Sequence, residues 1–311
     1  MCIIRFWLTL LNYSDSNQFT PFIMKAKYYL LLILLPFFNQ QSSAQERENS
    51  PVNLKLISGN VYEILDGRGS NGGAFIGETG ILVIDAKMDK ESVDQTISEL
   101  QQISDGPIMY LVNTHSDGDH INGNRYFPES VTIIAHENCR NDFFLTKRDG
   151  SPSDWNNPEL TPFTPELTFS EKMDIHLGSD KVELWYFGTG HTTGDIVVYI
   201  PEEKTAFLGD QLFLERPQLI HSHKGGNSFK HVATLSRMLE TLDAEKFSSG
   251  HSDICSRDDI RKHISEIQDY QEKVTKMVKE DKNLEEVLDS FEENEARLVT
   301  SIYNEVKETV K

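Results

Sequence analysis

The chain has 311 residues, of which 38% are hydrophobic and 25% charged, a balance that suits a globular fold with a sizeable core and excludes a multi-span membrane protein. Its 30 basic residues against 49 acidic ones give a formal net charge of −19, which repels phosphates and removes nucleic acid from the expected partners. Cys2, Cys139 and Cys255 are too few for a disulfide framework or a cysteine-rich metal knuckle, so histidines and carboxylates are the ligand supply for any metal.

Residues 1–44 are expected to stand outside the fold. Met24 is followed by Lys25 and Lys27, an apolar run from Tyr28 to Phe38, and a polar stretch that closes on Ser42-Ser43-Ala44. A positive start, an apolar segment short for a bilayer span and small residues before a cleavage point predict a secretory signal peptide over 24–44, cut after Ala44. Residues 1–23 precede a complete signal and read as an upstream extension, with translation starting at Met24. The expected product is exported, periplasmic or secreted, with no stable membrane span after cleavage.

In the remaining chain, Asn53 to Ile64 and Ala74 to Ile84 read as strands joined in a hairpin by the glycine-rich turn at 66–73. Asp89 is placed to cap a helix in which Val93, Ile97 and Leu100 recur at helical spacing, and Gly106-Pro107 stops it before the apolar strand Ile108 to Val112. A strand at Val131 to Ala135 and a second helix follow. The Pro-, Asn- and Asp-rich stretch from Asp149 to Pro165, with Trp155 inside it, reads as a loop at the mouth of a site. Strands are expected again at Lys181 to Phe187, Asp195 to Ile200, Thr205 to Leu208 and near Phe247, with a helix from about Ser228 to Leu242. Strand and helix therefore alternate in two similar halves over 45–272. Beyond Arg257 the chain turns Lys/Glu-rich and helical. Ile260, Ile264, Ile267, Val274 and Val278 form one apolar stripe, Asn283 with Glu286 forms a capping signal, and Leu298, Ile302, Val306 and Val310 form a second stripe in a C-terminal extension over 273–311. Such stripes pack against the domain or against a second copy of the chain.

Chemistry concentrates at strand ends. Leu111-Val-Asn-Thr-His115-Ser-Asp117-Gly-Asp119-His120 brings four potential metal ligands within six residues of one another, just after a predicted strand. Alternate residues of an extended turn point to one side, so His115 and Asp117 can face one ion while Asp119 and His120 bend toward another. Phe187-Gly-Thr-Gly-His191-Thr-Thr-Gly-Asp195, Phe207-Leu-Gly-Asp210 and Ser248-Ser-Gly-His251-Ser-Asp253 each follow a strand and place a donor beside glycine, which permits the backbone angles that aim a side chain inward. By contrast His136, His176, His231 and His263 lie outside these turns and read as surface or packing residues.

These segments are where the chain resembles the metallo-β-lactamase-fold superfamily, whose signature runs H-x-H-x-D-H, then G-H-T-x-G-D, then G-D, then G-H. The resemblance extends over about Val52 to Tyr270 and includes Gly59-Asn-Val-Tyr-Glu-Ile64, Leu82-Val-Ile-Asp85-Ala86, Ile134-Ala-His-Glu137 and Lys224-Gly-Gly-Asn227, which are similar to an exported hydrolase branch. It implies an α/β fold, a four-layer αβ/βα sandwich with the site at one edge of its two sheets, here carrying a C-terminal helical extension. It also implies two divalent ions, with His115, Asp117 and His191 on the first, Asp119, His120 and His251 on the second, and Asp210 between them. Asp85 would orient a ligand from behind, and His221 and His223 would line the rim rather than ligate. The chain departs from the pattern at Asp117, where the family has its second histidine. A carboxylate is a harder donor than imidazole, which moves the expected preference from zinc toward iron or manganese.

Two such ions can share a water and polarise a substrate oxygen, with Asp119 orienting the nucleophile. The expected activity is metal-dependent hydrolysis of an amide, lactam, lactone, ester or thioester in a small-molecule substrate, β-lactams among them. The rival readings are a di-iron redox protein, motivated by Asp117, and a non-catalytic metal-stabilised binding module. The C-terminal helices offer a route to a homo-oligomer.

Overall fold

The computed structural model describes residues 50–147 and 149–310, so the expected signal peptide, its cleavage point after Ala44 and the segment 1–23 lie outside the described residues. Tight turns cut each of the two strands expected at the start of the domain. Asn53–Ser58 (β1) and Val61–Leu65 (β2) pair antiparallel across Gly59-Asn60, and Gly72–Gly77 (β3) and Gly80–Ile84 (β4) pair in the same way. The hairpin expected around 66–73 joins β2 to β3. Each turn is only two residues long, Gly59-Asn60 and Glu78-Thr79, and apolar residues resume directly after it, which is why the pattern merged each pair into one strand.

Asp89 accepts from the Ser92 N–H and caps Lys90–Ile103 (α1). The chain then returns through Ile108–Val112 (β5), parallel to β4, and Thr132–His136 (β6) and Leu167–Phe169 (β7) extend the parallel half, giving a seven-stranded sheet in the order β1 to β7. Gly118–Ile121 (α2) and Glu137–Asp142 (α3) are single short helices after β5 and β6. The stretch expected as a loop holds two 3-10 turns, Asp154–Asn156 and Pro158–Phe163, and buries Trp155 against Phe143.

The second sheet contains Lys172–Leu177 (β8), Asp180–Trp185 (β9), Val197–Ile200 (β10), Thr205–Phe207 (β11) and Lys246–Ser248 (β12), in the order β12-β11-β10-β9-β8. Its strands pair antiparallel except for β11 with β12, which are parallel and connected through Ser228–Thr241 (α4). Leu82, Ile84, Val112 and Ile134 of the first sheet meet Leu184, Val198 and Phe207 of the second in the central core. On one outer face α1 packs Val93 and Leu100 against Ile81, Val83 and Leu111. On the other, Leu235 and Met238 of α4 cover Val197, Leu208 and Phe247. Helix, sheet, sheet and helix are the four expected layers.

Ser256 and Asp259 form a capping box for Arg257–Lys279 (α5), and Asn283 and Glu286 form the expected one for Leu284–Leu288 (α6), which leads into Ala296–Val310 (α7). Because α5 is continuous, the expected boundary at 272/273 falls inside a helix. Val274, Val278, Leu298, Ile302 and Val306 are buried together with Ile220 from the segment before α4. Val274 and Val278 of the first stripe therefore face Leu298, Ile302 and Val306 of the second and that segment, whereas Ile260 and Ile264 pack against α4 and the second sheet. Among the described residues no helix is long and apolar enough to cross a membrane.

Candidate metal centre

Every donor named from the sequence sits just beyond a strand: His115, Asp117, Asp119 and His120 after β5, His191 after β9, Asp210 after β11 and His251 after β12. The fold brings them to one edge of the two sheets. His115, Asp117, His191 and Asp210 each offer an atom within 4.8 Å of the others, and Asp119, His120 and His251 form a second such group. Asp210 lies between the two, with Oδ2 at 3.8 Å from His115 Nε2 and 3.4 Å from His251 Nε2, and Oδ1 at 3.1 Å from His120 Nε2. His251 Nε2 is also 3.0 Å from Asp119 Oδ2. Gly250 has to be glycine here, since a Cβ would stand 2.4 Å from Asp210 Oδ1 and 2.7 Å from a carbon of the His120 ring.

Asp85, held in the left-handed region at φ 59°, organises the group from behind. It accepts from the Thr114 N–H and hydroxyl and from His120 Nδ1, each at 2.8 Å. The Thr114 hydroxyl, having donated to Asp85, accepts from His115 Nδ1 at 3.1 Å. His191 Nδ1 donates to the Leu219 carbonyl at 2.8 Å. In all three rings the proton is thus drawn to Nδ1, and Nε2 presents its lone pair to the cluster, the arrangement that outer partners of a metal-binding histidine impose. Two of those nitrogens, His115 Nε2 and His120 Nε2, together with Asp210 Oδ1, are buried without a hydrogen-bond partner. Each such atom costs about 1–3 kcal/mol unless something satisfies it. Lone pairs converging from imidazole and carboxylate alike fit a divalent cation.

The electrostatics agree. Burial disfavours charged imidazole, yet the hydrogen bond to Asp117 raises His191 to about 9, and Asp119 and Asp210 raise His251 to about 9 against the same burial. Burial likewise opposes the Asp117 carboxylate, but the surrounding imidazoles hold it well below the usual range. The cavity demands positive charge, from protons or from metal.

Asp117 has partners that sequence reasoning did not find. Its Oδ1 is 2.7 Å from Lys224 Nζ, and its Oδ2 is 2.8 Å from His221 Nε2 as well as 3.2 Å from His191 Nε2. His221, expected only to line the rim, touches a candidate ligand directly. His223 and Lys224 border a cleft of about 250 Å³ that is also lined by Ser116, Asp142 and Trp155. Of the histidines set aside, His176 is exposed, whereas His136, His231 and His263 are buried packing residues. His136 stacks on Tyr186, and His263 Nε2 donates to Gln218 Oε1 at 3.0 Å. Cys139 and Cys255 are buried, their thiols pushed up by burial, and neither belongs to a donor group.

The model of the metallo-beta-lactamase superfamily matches residues 65–251. Similar proteins include a type 2 metallo-beta-lactamase of Elizabethkingia meningoseptica, 25% identical over 191 residues, which are 60% of this chain and 71% of that one. The alpha subunit of a 2,4-dinitroanisole O-demethylase of Nocardioides is 26% identical over 159 residues, half of this chain and 45% of that one. Among solved structures, a metallo-beta-lactamase from Pontibacter korlensis superposes with a TM-score of 0.59 at 18% identity, covering 70% of this chain and 99% of that one. The chain belongs to the metallo-beta-lactamase superfamily, and its histidine and aspartate cluster provides a metal site of the kind that divalent ions occupy.

Proposed function

We propose that the protein is an exported metal-dependent hydrolase of small molecules carrying an amide, lactam, lactone, ester or thioester, with β-lactams among the candidates. The observation that carries this reading is the pair of donor groups sharing Asp210 beside an open cleft. His115, Asp117 and His191 would hold the first ion, Asp119, His120 and His251 the second, and Asp210 would contact both. Bound there, zinc or a similar divalent ion supplies Lewis acidity and an activated water. The chain supplies the rest. Asp119 is brought down to about 2, because His120 and His251 outweigh the opposing effect of burial. Such a carboxylate is a weak base and a strong hydrogen-bond acceptor, suited to orienting a nucleophilic water. Asp142, on the cleft wall, is pushed up to about 6 by burial, against the pull of Lys224, and is suited to returning a proton to a leaving group. The net negative charge favours neutral or cationic substrates over polyanions.

A screen of lactams, lactones, esters and thioesters with metal-reconstituted protein tests the reading, and stoichiometric metal without turnover of any of them supports the binding-module alternative instead. The carboxylate at 117 favours one further reading, a di-iron redox centre. Anaerobically purified protein with an iron content and visible absorption supports that alternative, whereas a zinc protein is colourless. Export predicts a native N-terminus at Gln45, read by N-terminal sequencing, and self-association through the outer faces of α5 to α7 is read by light scattering.

A further inference from the structure

Position 117 lacks the imidazole that the superfamily pattern carries there, yet an imidazole, that of His221, touches the carboxylate that replaces it. We propose that His221 is a ligand of the first ion, supplying from the opposite wall of the site the ring that Asp117 replaces. The inference rests on the reading of the cluster as a metal centre and adds a donor to it.

Asp117 Oδ2 is surrounded by three ring nitrogens: His221 Nε2 at 2.8 Å, His191 Nε2 at 3.2 Å and His115 Nε2 at 3.6 Å. Four donors bound to a zinc-sized ion at about 2.0–2.1 Å in a tetrahedron stand roughly 3.3 Å apart. The three edges that meet at Asp117 Oδ2 scatter about that length. His191 donates its Nδ1 proton to the Leu219 carbonyl, so in the neutral ring its Nε2 lone pair faces a carboxylate oxygen, and either a proton or a cation has to stand between the two. A cation among the donors turns that opposition into coordination. The His221 ring lies 4.4 Å from the His191 ring, closer than the 5.0 Å that separates the rings of His191 and His115.

The backbone fixes His221 in place. Its N–H donates to the His191 carbonyl at 2.8 Å, and its own carbonyl accepts from the N–H groups of Lys224 and Gly226 at 2.8 and 3.0 Å. Gly226 allows this approach, because a Cβ there would lie 2.1 Å from the His191 carbonyl oxygen. Just before His221, Ile220 is buried in the cluster formed by α5, α6 and α7. A few residues beyond it, the Ser228 N–H donates to Glu305 of α7 at 2.9 Å. The C-terminal helices thus clamp both ends of the segment that carries His221 and Lys224. Lys224 in turn offsets the charge of Asp117. A first ion held by three imidazoles and the charge-compensated Asp117, with Asp210 shared between the ions, has more nitrogen than oxygen donors, which returns the preference toward zinc.

The test is the magnetic resonance spectrum of the full chain with labelled imidazole nitrogens, loaded with a spin-active cadmium isotope as Cd2+. The expected result is a one-bond coupling from His221 Nε2 to the same cadmium that couples to His115 and His191. His221→Ala should weaken that ion at least tenfold in a Cd2+ titration, and adding Asp117→His should recover the loss, while the cadmium coupled to His120 and His251 persists. Coupling at His115 and His191 with none at His221 overturns the inference and leaves the metal centre standing. No coupling at any histidine overturns both.

Discussion

The two donor groups differ in how far they are closed. In the first, the His115 and Asp117 side chains are 1% and 15% exposed, and Lys224 and His221 shut the outer side. In the second, Asp119 and His251 are 29% and 31% exposed, although His120 beside them is buried. Structural metal sites are closed by protein donors, whereas catalytic ones keep a position for water and substrate. On the proposed reading, the deep pocket would hold an ion firmly and the shallow one would meet substrate, with one carboxylate, Asp210, between them.

The largest effect that sharpens this contrast is loss of the shallow pocket. His120→Ala and His251→Ala are each expected to remove the second ion and lower hydrolysis by more than a hundredfold, because deleting a ligand removes both the ion and its activated water. Metal analysis beside turnover checks this, and full activity with stoichiometric metal in either variant would break the ligand assignment. Next comes the deep pocket. Asp117→Ala should lower first-ion affinity at least tenfold and leave the second ion in place, and Asp117→His should raise zinc selectivity over iron or manganese, since imidazole is the softer donor. Competitive metal titrations decide between that outcome and unchanged binding.

A third experiment reaches the deep pocket from a distance. Ile302 of α7 is fully buried in the cluster that contains Ile220, so Ile302→Ala should cost about 2–5 kcal/mol of stability. It should also weaken the first ion more than the second, because only the first depends on the segment that begins at Ile220. Denaturant unfolding and metal titration on the same variant separate the two consequences, and equal weakening of both ions would remove the asymmetry. The smallest expected effect concerns pH. Burial lowers His263 from 6.5 to about 4. Between those values the unfolded chain binds the proton that the folded chain refuses, so stability falls as pH drops from about 6.5 toward 4. His263→Gln should flatten that slope while lowering stability at neutral pH through the altered contact to Gln218, and equilibrium unfolding at several pH values measures both.

The sequence by itself determined the layers and the strand-end positions of the candidate donors. His115, His120, His191, Asp210 and His251 were legible because each follows a short apolar strand and most lie beside glycine, and both are local properties of the chain. The helices over Lys90–Ile103 and Ser228–Thr241 and the capping box at Asn283 were legible for the same reason, since caps and periodicity act within a few residues. Tertiary structure alone decided what surrounds Asp117. His221 and Lys224 reach it across 104 and 107 residues of chain, from a segment with no periodic pattern, and nothing in either neighbourhood announces the other. The destination of the two C-terminal stripes was also left open by the sequence, because an apolar face specifies that it will be covered and not by what. In the structure the first stripe covers α4 with Ile260 and Ile264 and meets the second stripe and Ile220 with Val274 and Val278, since burying these faces within the chain avoids the association entropy that a second copy would cost.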